Sequence, residues 1–270
     1  MARPLVMGIV NVTPDSFSDG GRLGSVAAAV DHAMRLAADG ADILDIGGES
    51  TRPGADPVDE RDEMARVVPV IAGVRARWGG PISIDTLKPG VARAAAAAGA
   101  AIWNDVSALT WAEDSLETAA ALGCTVCLMH MKGEPRTMQA DPRYDDVVAE
   151  VIGALAARAE AALAAGVTRD RIWLDPGVGF GKTASHNLAL TAHLERLAAL
   201  GFPVLYGASR KRVVQAVDAT ATEPDDRIGG SLALALEAAR RGAAVIRVHD
   251  VRQTVQALKL QAAVAAAAKG

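Results

Sequence analysis

The sequence predicts an α/β chain of the (β/α)8 TIM-barrel class, with eight parallel strands in a single domain over residues 1–270. Three observations predict it. Apolar strand-like runs alternate strictly with helical runs along the whole length. Eight such units occupy about 250 residues, the usual size of this barrel. Each apolar run also ends on a polar or charged residue, and these barrels carry their active sites at the C-terminal strand ends. A doubly wound open sheet would use fewer strands and place G-x-G-x-x-G after the first. Here that loop reads TPDSFSDGG.

The first run, 5–12, is apolar except for Asn11 and breaks at Pro14 into a polar loop carrying one aromatic residue, Phe17. A helix over 25–38 follows, with Ser25 as N-cap and Gly40 as stop. The second strand, 41–47, opens into the long polar loop of Glu49 to Gly54 and a helix over 59–78. Strand 81–85 leads to a helix over 88–98, and strand 101–106 to a short helix near 112–122. Strand 125–130 precedes a polar loop and an alanine-rich helix over 144–165. Strand 172–175 runs into PGVGFGK and a helix over 186–200. Strand 203–209 is followed by a helical turn at Arg210–Lys211 and a helix over 225–241. Strand 244–248 and a final helix over 251–269 complete the pattern.

A net charge of −4 and a pI near 5.8 leave no global basic field for nucleic acid or an anionic membrane. Any anion site has to be built locally. Aromatic residues are 3% of the chain, so Ala, Val, Leu and Ile must fill the interior. No apolar run is long enough to cross a bilayer. The first strand starts almost at the N-terminus and leaves no room for a signal peptide. A cytoplasmic protein is expected. Cys124 and Cys127 form a C-x-x-C at the fifth strand. Residues three apart in a strand are about 10 Å apart and face opposite sides. A disulfide needs Cα atoms within about 7 Å. Both are therefore expected to be structural thiols.

In chain order the strand ends deliver Asn11; Asp45, Glu49 and Thr51; Asp85; Asn104; His130; Asp175; Ser209 with Lys211; and Arg247 with His249. Asp45 and Arg247 lie inside otherwise apolar runs, where a charge needs a partner or a ligand. For Asp45 an ion pair inside the barrel is expected. Lys211, Arg247, His249 and Arg52, with amide donors such as Asn11, suit a phosphate. Asp85, Asp175 and Asn104 suit the N–H edge of a flat heterocycle, since a carboxylate can accept two parallel hydrogen bonds. The rim reads as a site for a nitrogen heterocycle carrying a phosphate.

Two near-motifs bear on this. Residues 175–183 look like a P-loop, but the first glycine of G-x-x-x-x-G-K would fall on Pro176. The run is expected to be a flexible glycine loop presenting Phe180 over the rim. Arg210–Lys211–Arg212, at a strand-to-helix junction of an acidic chain, is expected to form a local anion site.

GIVNVTPDSFSDGG at 8–21, GGESTRPGA at 47–55, SIDT at 83–86, NDVS at 104–107, LMHMKGEPRTMQ at 128–139, LDPGVGFGK at 174–182, GASRK at 207–211 and RVHDV at 247–251 closely resemble the dihydropteroate synthases. The resemblance runs from first strand to last. It implies a barrel that condenses 6-hydroxymethyl-7,8-dihydropterin pyrophosphate with p-aminobenzoate, requires Mg2+, forms homodimers and is the target of sulfonamides. Matching motifs imply that Asp85, Asn104, Asp175 and Lys211 form the pterin pocket with Met129 as an apolar wall. They imply that Asn11, Arg247 and His249 form the pyrophosphate and metal site, Asn11 being the Mg2+ contact. Gly207 and Ser209 belong to the same rim. Thr51, Arg52, Pro53, Phe17 and Phe180 resemble the wall of the p-aminobenzoate site. Asp85, Lys211, Asp175 and Arg247 are expected to carry the chemistry, an SN1-like loss of pyrophosphate. One departure is Arg212, where many relatives have a serine. The runner-up is a pterin-binding barrel that is not a synthase, such as the methyltetrahydrofolate-binding domain of a methyltransferase. Such a domain has no reason to keep Thr51–Pro53, Ser209–Lys211 and Arg247 with His249 together.

Overall fold

A computed structural model describes residues 3–12, 21–50, 56–133 and 137–268, without the side chains of 21–25. Eight parallel strands form one sheet: β1 (Leu5–Asn11), β2 (Ile43–Gly47), β3 (Ile82–Asp85), β4 (Ile102–Asp105), β5 (Thr125–Met129), β6 (Ile172–Asp175), β7 (Leu205–Tyr206) and β8 (Val245–Val248). Their order is β6-β5-β4-β3-β2-β1-β8-β7. A parallel bridge between Leu174 and Val204 joins β6 to the lead-in of β7 and closes the barrel. Leu174 N also donates to Pro203 O at 3.0 Å across this seam. Both faces of these strands are buried, as parallel crossovers demand, so the strands are almost continuously apolar.

The helices are α1 (Gly21–Ala38), α2 (Glu60–Arg75), α3 (Pro89–Ala97), α4 (Ser115–Leu122), α5 (Val147–Ala164), α6 (Ala184–Ala192), α7 (Leu194–Ala198), α8 (Arg212–Val217), α9 (Ile228–Arg240) and α10 (Val251–Ala267). Alternation along each strand separates two cores. Val6, Val10, Leu44, Ile46, Ile82, Ile84, Val126, Leu128 and Ile246 belong to the large core shared with the helices. Met7, Ile43, Ile102, Cys127, Leu205 and Val245 form a second cluster, the plug inside the barrel. Two residues further along β2, β4 and β8 the interior turns polar, with Asp45, Asn104 and Arg247. Cys127 is therefore a filler of the plug, and neither cysteine is in a disulfide.

The predicted elements are present with shifted boundaries, except the helical turn at Arg210–Lys211: Arg210 is left-handed and Lys211 extended, and α8 starts only at Arg212. α5 starts at Val147, not at 144, because the Asp146 side chain accepts from Val148 N and Ala149 N and caps it there. The helix expected over 186–200 begins earlier, behind a Thr183–His186 capping box, and breaks at His193 into α6 and α7. The seventh strand is two residues long instead of seven. Its continuation leaves the ladder, and Arg210 takes a left-handed φ of 59° with its N–H donated to Ser231 Oγ at 2.8 Å. The helix expected from 112 starts at Ser115. Among the described residues no helix is long and apolar enough to cross a membrane.

Candidate active site

The parallel register places Asn11, Gly47, Asp85 and Asn104 side by side at the C-terminal ends of β1 to β4. Arg247 enters from β8 and spans the mouth. Its Nε donates to Asp45 Oδ2 at 2.6 Å and its Nη2 to Asp85 Oδ2 at 2.6 Å. Asn104 Nδ2 donates to the same Asp45 oxygen at 3.2 Å. Asp45 is completely buried, so the ion pair expected for it lies inside the barrel. A single carboxylate thus fixes both Arg247 and Asn104. Among the described residues, no hydrogen-bond partner meets the buried second oxygens of Asp45 and Asp85 or Ser83 Oγ. Buried polar atoms of this kind are costly unless a ligand meets them.

The electrostatics follow from burial. Asp85 is pushed up to about 7 by desolvation, with the charge of Asp45 adding to the rise and Arg247 opposing it. Asp175 is raised for the same first reason, against the pull of Lys211. Burial works against the charge of Arg247, but Asp45 and Asp85 outweigh it and raise its pKa. Desolvation brings Lys211 down to about 8. Asp85 and Lys211 are thereby poised near neutral pH, a frequent property of catalytic groups.

The other half of the mouth is built on β5, β6 and the glycine loop. Met129 and Asp175 are register partners, and Asp175 Oδ1 accepts from Gly177 N at 2.7 Å. Lys211 Nζ donates to Val178 O and lies 4.7 Å from the centre of the Phe180 ring. Phe180 and Met131 pack against Leu87, Val106 and Met129, an apolar wall beside the carboxylates. Phe180 therefore sits with Met129 and Lys211. Across the mouth, Ser209 Oγ and His249 Nδ1 are 3.1 Å apart, and His249 N donates to Ser209 Oγ. Gly207 keeps a side chain out of the space beside Arg247, whose Cβ would lie 3.6 Å from an added methyl.

The structure thus gathers Asp45, Asp85, Asn104, Met129, Asp175, Phe180, Gly207, Ser209, Lys211, Arg247 and His249 at the mouth, with Asn11 at the end of β1. Phe17, Thr51, Arg52 and Pro53 lie outside the described residues. The basic triplet does not act as a unit. Arg210 is paired with Asp250 at 2.7 Å and Asp225 at 2.5 Å, and Arg212 is exposed at the first position of α8. Only Lys211 enters the site.

Three buried charges outside the sequence expectations support the mouth. Asp105 accepts from Ser107 N, Ser107 Oγ and Leu109 N, at 2.7, 2.7 and 2.8 Å. It shapes the turn after β4, in which Ala108 and Leu109 are left-handed and Arg158 donates to both carbonyls. Lys88 donates to Glu49 and Glu63 at 2.6 Å each, at the foot of the loop after β2. Lys182 ties the glycine loop to β5. The only sequence signal for these was a charged residue beside a recognised motif.

A donor set for Mg2+ can be judged from its chemistry. Among the described residues no group of three or more His, Cys, Asp or Glu side chains could hold a metal. Mg2+ is usually held by one or two protein oxygens, several waters and substrate phosphates. One amide oxygen, Asn11 at the end of β1, fits that pattern as a single protein ligand.

A closed parallel barrel whose polar groups converge at the strand C-termini has the architecture of a (β/α)8 enzyme. The family model for pterin binding enzymes matches residues 7–249. The dihydropteroate synthase of Escherichia coli is 47% identical over 260 residues, 96% of this chain and 91% of that protein. The Xanthomonas albilineans dihydropteroate synthase with 4-aminobenzoic acid superimposes with a TM-score of 0.92 at 54% identity, covering 98% of this chain and 94% of that one. The same species' enzyme in complex with 7,8-dihydropteroate gives 0.87 at 48% identity, covering 98% and 94%. The chain belongs to the dihydropteroate synthases, transferases within the pterin-binding enzyme family.

Proposed function

We propose that the mouth of this barrel binds 6-hydroxymethyl-7,8-dihydropterin pyrophosphate and joins its methylene carbon to the amino nitrogen of p-aminobenzoate, giving 7,8-dihydropteroate and pyrophosphate in folate synthesis. The observation that carries this reading is the buried Asp45–Arg247–Asp85 chain facing Asp175 and Lys211. Carboxylates flanking a flat pocket can accept the N–H groups of a pterin ring, and Met129 offers it an apolar face. Asp85, Asn104, Asp175 and Lys211 hold the ring. Arg247, His249 and Ser209 face the pyrophosphate. Phe17, Thr51, Arg52, Pro53 and Phe180 are assigned to the p-aminobenzoate wall on the strength of their motifs.

The C–O bond to pyrophosphate breaks first and leaves a cation delocalised over the pterin, which Asp85 and Asp175 stabilise electrostatically. The amino nitrogen then forms the C–N bond and releases a proton to solvent. No protein nucleophile takes part. Asn11 would hold Mg2+, which would supply neutralisation of leaving-group charge. The protein is proposed to act as a homodimer in the cytoplasm, with residues 1–270 as one domain. The test is purified protein with both substrates and Mg2+. Release of pyrophosphate that depends on p-aminobenzoate is expected, and its absence would overturn the reading.

A further inference from the structure

We propose that Lys182 is a positioning residue for the pterin site: it latches the 176–181 loop onto the end of β5, so that Val178 and Phe180 fix Lys211. The inference rests on the proposed pterin reading and extends it to a residue that does not touch the substrate.

Lys182 is 3% exposed. Its Nζ donates to Phe180 O at 2.9 Å and His130 O at 3.1 Å, and meets His130 Nδ1 at 3.0 Å. The three hydrogens of the ammonium are thereby used inside the protein, which leaves none for a substrate. Burial keeps the His130 imidazole neutral, pushing it down to about 3, so that Nδ1 can accept. An ammonium whose hydrogen-bond acceptors are all neutral is costly to bury, and desolvation brings Lys182 down to about 7 against the pull of the Asp175 charge. The latch is therefore not the cheapest way to fill this space.

The loop it holds is pressed against β5. Gly177 has a φ of +69°, and a side-chain carbon there would lie 1.9 Å from His130 O. The same loop is braced from outside, where Asn187 Oδ1 accepts from Gly179 N at 2.8 Å and Tyr144 OH donates to Gly181 O at 2.9 Å. Its inner side offers Val178 O and the Phe180 ring to Lys211. One face is bound to the scaffold and the other to a proposed substrate contact. Without the latch, Lys211 loses its fixed acceptor and ring.

Lys182→Met keeps length and bulk but removes every donor. The expected result is a rise of about 30-fold in the KM for the pterin pyrophosphate and an equal weakening of 6-hydroxymethylpterin binding by calorimetry. The KM for p-aminobenzoate should rise only about threefold, through the displaced Phe180 ring, and kcat should stay within about threefold. Amides 177–181 should exchange with deuterium faster than in wild type. In Lys182→Ala, ethylammonium should restore pterin affinity and ethanol should not. General loosening would lower the active fraction without this split between the two substrates. Unchanged pterin affinity in Lys182→Met, or equal changes in both KM values, would overturn the role. If neither Lys182 variant folds, His130→Ala removes one of the three partners. A rise of about threefold in the same KM is then expected, and no change defeats the proposal. Wild-type protein that binds no pterin would defeat the proposed function instead.

Discussion

The plug of the barrel and its mouth are built on the same strands two residues apart, yet they are chemically opposed. Met7, Ile43, Ile102, Cys127, Leu205 and Val245 close on one another as an apolar cluster. One step higher, Asp45, Asp85 and Arg247 form a charged chain that leaves Asp45 Oδ1 and Asp85 Oδ1 buried and unpartnered among the described residues. The step is about 6.6 Å along a parallel strand. Apolar burial favours folding in the plug, whereas desolvated charge works against it in the mouth. The difference teaches that these strands divide their work: the plug holds the fold, and the mouth keeps unsatisfied groups ready for a ligand.

The sharpest way to probe the division is to change one residue in each layer and read both activity and stability. Asp85→Asn keeps an acceptor for Arg247 but removes the charge proposed to stabilise the pterin cation. A loss of about 100-fold in kcat is expected, with pterin affinity falling far less. Equal losses in both would mean that Asp85 only binds. In the plug, Ile43→Ala should do the opposite. Ile43 is 1% exposed, and its truncation should cost about 2–5 kcal/mol in urea unfolding. The kcat of the folded fraction should remain within about twofold of wild type. A plug variant that lost kcat as heavily as Asp85→Asn would erase the distinction between the layers.

The two layers also differ in how well the sequence announced them. Asp45 and Arg247 stood out because charges inside apolar runs need partners, and each is the other's partner. Asp85, Asn104 and Asp175 were legible as polar ends of strands. The eight-fold alternation was legible for the same reason, since each period belongs to one local element. Lys182 was not, because its meaning comes from His130, 52 residues earlier, which the loop meets only after β5 and β6 pair. Asp105 was hidden beside Asn104: the two differ by one position, and only strand register sends one inward and the other to the turn after β4. The short β7 was missed because its length is set by its partner: only Leu205 and Tyr206 pair with β8, which the local sequence does not record.

The smallest effect is the most discriminating, because it sets the needs of the mouth directly against those of the fold. Asp85 is raised by burial from 3.8 to about 7. Between those values the folded chain keeps a proton on this carboxyl that the unfolded chain has released. The folded state therefore binds more protons, and the contribution of Asp85 to stability falls as pH rises through the window. Asp85→Asn has no such group, so its stability relative to wild type should increase steadily from pH 4 to pH 7 and level off above. Asp105, raised to about 6 by its own burial, is present in both proteins, so its titration cancels apart from its smaller repulsion of Asp85. Wild-type kcat should move the other way, declining as the pH drops below about 7, because the protonated carboxyl no longer stabilises a cation. Urea unfolding of the pair at four pH values, with kcat measured alongside, checks both slopes. Parallel slopes, with activity and stability lost together on the same side of neutrality, would show that the charge on Asp85 supports the fold. Opposed slopes would place it among the groups that the barrel carries at the expense of its own stability.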